Sequence, residues 1–127
     1  MDTKKIQKLI DDFYYWDYPV DRLDCNYFAD EVELSYTDDE DNKDVVYHFK
    51  GCYKVIFDHI KGYAKIKPVK EMTRGQISCF LQDVEVSITT EDDIDFYICK
   101  INMFPMNVEI WCKDIEVFKR DKFDKEK

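Results

Sequence analysis

The stretch QISCFLQDVEVSITTEDDIDFYICKINMFPMNVEIWCKDIEVFKR, residues 76–120, reads as three consecutive antiparallel strands. Val84, Val86 and Ile88 fall on one side of an extended chain while Glu85 and Ser87 fall on the other. That two-residue period marks a strand with one dry face and one wet face. EDD (91–93) supplies a polar turn, IDFYICKINMF (94–104) runs back, and Pro105 punctuates the next reversal. Alternation resumes with Val108, Ile110 and Cys112, breaks, and returns with Ile115, Val117 and Phe118.

The same pattern extends towards the N-terminus. Val32, Leu34 and Tyr36 oppose Glu31, Glu33 and Ser35 in a strand expected from about Tyr27 onwards. TDDEDNKD (37–44) is a polar turn, after which Val45, Tyr47 and Phe49 begin the next strand. Gly51 is expected to break that strand, with CYKVIFDHI (52–60) following as a third strand or a bulged extension of the second. KGYAKIKPVKEMTRG (61–75) reads as a connection with one helical turn after Pro68, because proline suits a first helical position.

Ahead of the strands, Ile6, Leu9, Ile10 and Phe13 follow the i, i+3, i+4, i+7 spacing of one helical face, with Asp2 or Thr3 able to cap its start. Lysines crowd the first turns and Asp11 and Asp12 the last, opposing the helix dipole, so packing must hold this helix. Pro19 is expected to end it. The fold class is therefore α+β: an N-terminal helix followed by about six mainly antiparallel strands forming a twisted sheet or open barrel. Residues 1–120 form a single domain on this reading, and 121–127 a frayed C-terminal tail.

Composition supports a real core. Of 127 residues 45% are hydrophobic, and 9 Tyr, 9 Phe and 2 Trp exceed what a disordered acidic chain carries. MDTKKIQKLIDD has no apolar run of signal-peptide length, and nowhere do enough apolar residues run together to span a membrane. The 5 cysteines include no C-x-x-C pair and are expected as reduced, buried thiols in a cytoplasmic protein.

Charge is segmental. Residues 1–48 carry 14 acidic and 5 basic side chains, 49–75 carry 7 basic and 2 acidic, and 76–112 carry 7 acidic and 1 basic. The whole chain sums to −9, which bears on solubility and partner choice and not on fold.

Chemical motifs are missing. No P-loop, G-x-G-x-x-G or G-x-S-x-G pattern occurs, so phosphate cradles and nucleophile elbows are not expected, and no cofactor is. His48 and His59 lack ligand spacing, and no metal site is expected from them; His48, between Tyr47 and Phe49, should face solvent. A nucleophilic pair of Cys52 with either histidine is conceivable across a hairpin, but a buried cysteine is the simpler reading. DDEDNKD lacks the glycine and closing glutamate of a calcium loop. The basic stretch, with Lys50, Lys54, Lys61, Lys65, Lys67, Lys70 and Arg74 among aromatic residues, has a composition that suits nucleic acid. The whole-molecule charge of −9 repels a polyanion, and no nucleic-acid or membrane partner is expected.

The acidic turns admit a sharper reading. Asp38, Asp39, Glu40 and Asp41 form one turn and Glu91, Asp92 and Asp93 another, and with Trp16 and Tyr18 as aromatic anchors they could dock on a basic protein.

Three phrases, FKGCYKVIFDH (49–59), FLQDVEV (80–86) and INMFPMNVEIWCKDIEV (101–117), resemble small bacterial proteins encoded near polymorphic or contact-dependent toxins. These are the immunity proteins, and the likeness spans residues 27–118. It implies a non-enzymatic, cytoplasmic inhibitor that binds and neutralises a cognate toxin domain. No diagnostic motif accompanies it, so no site residue is carried over. The alternative is a small-ligand-binding or structural β-rich module using an aromatic interior.

Overall fold

The computed structural model describes residues 1–59, 69–71 and 79–121. Helix α1 spans Thr3–Asp12 and precedes six strands: β1 (Arg22–Asn26), β2 (Glu31–Asp38), β3 (Lys43–His59), β4 (Asp83–Glu91), β5 (Ile94–Met103) and β6 (Met106–Asp121). One sheet holds them in the order β1-β2-β3-β6-β5-β4, every neighbouring pair antiparallel. A single turn of 3-10 helix at Val69–Glu71 falls where Pro68 pointed. The tail from residue 122 and most of the basic connection lie outside the described residues.

The helix forms as its spacing predicts. Asp2 caps it, its carboxylate accepting from the Lys5 N–H at 3.0 Å. Ile6 and Ile10 are buried against the sheet, and completely covering Ile10 contributes roughly 1.5–3 kcal/mol. The helix stops at Asp12, seven residues before Pro19; Phe13 already has an extended backbone. Pro19 instead makes a β-bridge with Phe80.

The inner face of the sheet carries the core. Val32, Leu34, Tyr36, Val45, Tyr47 and Phe49 are fully buried there, joined by Cys99, Ile101, Val108, Ile110 and Cys112 from the other half. Tyr36 sits at the centre of an aromatic run, stacked on Tyr18 at 5.4 Å and edge-on to Tyr47 at 6.0 Å. Its hydroxyl donates to the Phe13 carbonyl at 3.0 Å, tying the helix exit to β2.

Several boundaries differ from the sequence expectation. β1 has no alternating apolar pattern of its own; it exists because Leu23 and Cys25 pair with Leu34 and Val32 of β2. β2 starts at Glu31, since Tyr27, Phe28 and Ala29 all adopt positive φ in the β1–β2 turn. β4 starts at Asp83; residues 76–78 lie outside the described residues, and 79–82 hold one bridge only. β3 passes through Gly51 unbroken, so the bulged-extension reading holds.

The bulge has a clear cause. Gly51 takes φ +61, and a register shift follows between Cys52 and Lys54. Core-facing residues of β3 change from 45, 47 and 49 to 52, and those of β6 change from 108, 110 and 112 to 115 and 117. The apparent break in β6 at 113–114 is thus a change of face within one continuous strand. Lys113 packs where a Gly51 side chain would go, 3.1 Å from an ideal Cβ.

The sheet is open, and its two edges approach each other. Asp17 N–H donates to the Leu81 carbonyl at 2.6 Å, Leu81 N–H to Tyr18 at 2.9 Å, and Val20 N–H to Cys79 at 2.9 Å. The lead-in to β1 therefore lies against the lead-in to β4, curling the sheet around α1 without closing a barrel.

Candidate functional site

Antiparallel order fixes where the two acidic turns go. β2 and β4 run in the same direction, so the β2–β3 turn and the β4–β5 turn leave the same end of the sheet. The second is a two-residue hairpin: Glu91 pairs with Ile94, and Asp92 and Asp93 adopt φ 50 and 62, as a type I′ turn requires. Glu91, Asp92, Asp93 and Asp95 are all exposed.

The first turn divides its acids between two roles. Lys119 of β6 reaches Asp38 at 2.9 Å and Asp41 at 2.7 Å. Asp38 also accepts from the Glu40 N–H and Asp41 from the Lys43 N–H. Hydrogen bonding to Lys119 first, then to these amides, holds both carboxyls below their ordinary range, and the two carboxylates raise the Lys119 ammonium in return. Asp38 and Asp41 therefore shape the loop, while Asp39 and Glu40 stand exposed in solvent.

The proposed aromatic anchors also separate. Trp16 is 55% exposed, whereas Tyr18 is half-buried on Tyr36. Tyr18 belongs to the packing of the lead-in segment, and Trp16 alone of the two presents a free ring.

Sequence reasoning placed acids at the outward strand positions but did not foresee that the outer face of the sheet pairs them with cations. Glu31 meets His48 at 2.7 Å, Lys50 pairs with Glu116, Arg120 with Glu33, and Arg22 with Asp24 at 2.9 Å. His48 points away from the core as expected, but Glu31 engages it. Across the β3-β6-β5-β4 half, one row sets Ile56, Glu109, Lys100 and Glu85 side by side, with Asp58, Asn107, Asn102 and Asp83 in the next. These rows line an open groove of about 360 Å³. Beside it Trp111 donates its indole N–H to Glu109 at 2.8 Å and lies under Lys54 Nζ at 4.2 Å. Tyr53, lifted out by the bulge, stacks on Phe96 at 4.9 Å. The signal for this surface was present as alternating charged residues, but only strand pairing shows which charges become neighbours.

Among the described residues, no group of three His, Cys, Asp or Glu side chains converges as a metal would need. Cys52 pairs across the strands with Cys112, and burial pushes the two thiols up to about 11 and about 12. Raised thiols are poor nucleophiles at neutral pH. Cys25 departs from the buried-thiol expectation: it is exposed on β1.

The architecture defines an α+β domain whose helix fills one face of an open sheet and whose other face and hairpin ends are charged. The family model described as immunity protein PIM7 matches residues 2–119, and the chain belongs to that family. This agrees with the resemblance carried by the strand phrases and gives the protein a toxin-neutralising immunity role in general. No curated protein matches the chain. No helix among the described residues is long and apolar enough to cross a membrane.

Proposed function

We propose that this chain neutralises a basic toxin domain by direct, non-enzymatic binding in the bacterial cytoplasm, and that its acidic hairpin ends lead the encounter. The observation carrying this reading is that Asp39, Glu40, Glu91, Asp92 and Asp93 are exposed at one end of the sheet. Carboxylates so placed raise the association rate with a cationic partner and fix its orientation. Trp16, exposed beside Asp17, is the candidate aromatic anchor. No cofactor enters this reading, and neither nucleic acid nor a membrane is a partner in it.

The ligand-binding alternative needs an open aromatic interior. That interior is occupied here: α1 covers the inner face, and Tyr36, Tyr47 and Phe49 are fully buried within it.

The test is binding of the toxin domain encoded beside this chain's gene, compared for the wild type and an Asp39→Asn, Glu40→Gln, Glu91→Gln, Asp92→Asn, Asp93→Asn variant. Asparagine tolerates the positive φ at 92 and 93, so the turn survives the substitution. A slower, less salt-sensitive association for the variant supports the reading, and identical rates count against the acidic turns.

A further inference from the structure

The outer edge of β4 is half covered and half open. Val84 N–H donates to the Tyr15 hydroxyl at 3.3 Å, and the Gln7 side chain donates to the Val84 carbonyl and accepts from Val86 N–H, both at 2.9 Å. These groups face away from β5. In an antiparallel strand alternate residues turn their N–H and C=O the same way, so Ile88 and Thr90 present theirs at this edge too. Among the described residues nothing pairs with those backbone groups, and Ile88 is 44% exposed.

We propose that the β4 edge from Ile88 to Glu91 is a docking strand for an extended, Lys/Arg-bearing segment of the toxin, which adds to the sheet as a seventh strand. This deepens the immunity reading and rests on it. An unpaired edge of β-branched residues templates strand addition, and main-chain hydrogen bonds supply its affinity. The flanking charge selects the occupant: Glu85, Glu91, Asp92, Asp93 and Asp95 are all exposed around this edge. A cationic strand laid here meets opposite charge at its cross-strand positions.

A second copy of this chain fits poorly. Antiparallel self-pairing about Ile88 sets Glu85 against Glu91 of the second copy, twice in each dimer, and like charges directly opposite destabilise a ladder. Gln7 and Tyr15 also confine pairing to the last turnless residues of β4, so a long symmetrical strand exchange has no room. A short foreign segment does.

Ile88→Pro removes one edge N–H without touching the bonds to β5, and proline is tolerated at such edges. Ile88→Thr keeps the N–H. With the adjacent-gene toxin domain as probe, Ile88→Pro should weaken binding by about tenfold or more, roughly the loss of one well-placed hydrogen bond. Ile88→Thr should stay within a few-fold of the wild type. Thermal melts show whether each variant folds. Independently of them, amide exchange at Ile88 and Thr90 of the wild-type chain should slow markedly in the complex. Toxin binding with unchanged exchange at both amides overturns the edge docking and leaves the immunity reading standing. Absence of any complex with the wild-type chain overturns both.

Discussion

Gln7 and Val86 are joined at 2.9 Å, side-chain oxygen to backbone N–H, and the same Gln7 amide donates to Val84. A helix side chain thereby imitates one residue of a neighbouring strand. The arrangement docks α1 along the sheet and shields the first half of the β4 edge. Gln7→Ala should cost about 1–2 kcal/mol, the net worth of two such bonds, measured by urea denaturation. Gln7→Glu keeps the acceptor for Val86 but sets a carboxylate against the Val84 carbonyl and the Asp11 carboxylate, to both of which the Gln7 amide donates, and should cost at least as much as Gln7→Ala.

Lys119 makes stability depend on acid. The carboxyls of Asp38 and Asp41 are held below their ordinary values by this lysine, so their contribution is complete above the unfolded carboxyl range, about 3.9. It is lost as pH falls through their lowered folded values. Lys119→Met should therefore lower the Tm at pH 6, and the gap from the wild type should close as pH approaches 2. A gap that stays constant with pH would assign the loss to packing of the Lys119 stem.

Gly51 is the position where backbone geometry excludes a side chain. Its φ of +61 is strained for other residues, and a Cβ would press on Lys113 at 3.1 Å. Gly51→Ala should destabilise by roughly 1–3 kcal/mol, the ordinary cost of a residue forced into a sparsely populated backbone region. Equilibrium denaturation measures it. Gly51→Ala combined with Lys113→Ala should recover only the part due to the Lys113 Cγ, since alanine keeps the Cβ that also lies 3.1 Å away, and should leave the part due to φ.

Ser35 offers the opposite case. It is fully buried, and its Oγ has no hydrogen-bond partner among the described residues. Ser35→Ala removes an unsatisfied polar group and should be neutral or stabilising by up to about 1 kcal/mol in the same assay.

The helix and the alternating cores of β2, the first part of β3, β4 and β6 were legible because local periodicity reports which face is dry, and β5 was legible only as the returning strand. EDD (91–93) was legible as a turn because its composition suits the φ values it adopts. β1 was not, since RLDCN gains its strand from pairing with β2 and has no period of its own. Gly51 read either as a stop or as a bulge because glycine weakens strands and also permits bulges, and only pairing with β6 decides for the bulge. The acidic turns were visible as composition, but not the division of labour within 38–41, which depends on Lys119 some eighty residues away. Tyr18 could not be told from Trp16 for the same reason: only the fold lays one ring on Tyr36. The pairing of the outer charges and the free β4 edge are products of strand order, which no window of sequence contains.

The most direct test of the account is titration of the wild-type chain into the adjacent-gene toxin domain, with toxin activity and binding heat read together. The expected result is a stoichiometric complex that abolishes the toxin's activity, with an association rate that falls as salt is raised and falls again when Asp39, Glu40, Glu91, Asp92 and Asp93 are neutralised. Full toxin activity in the presence of excess chain would contradict it.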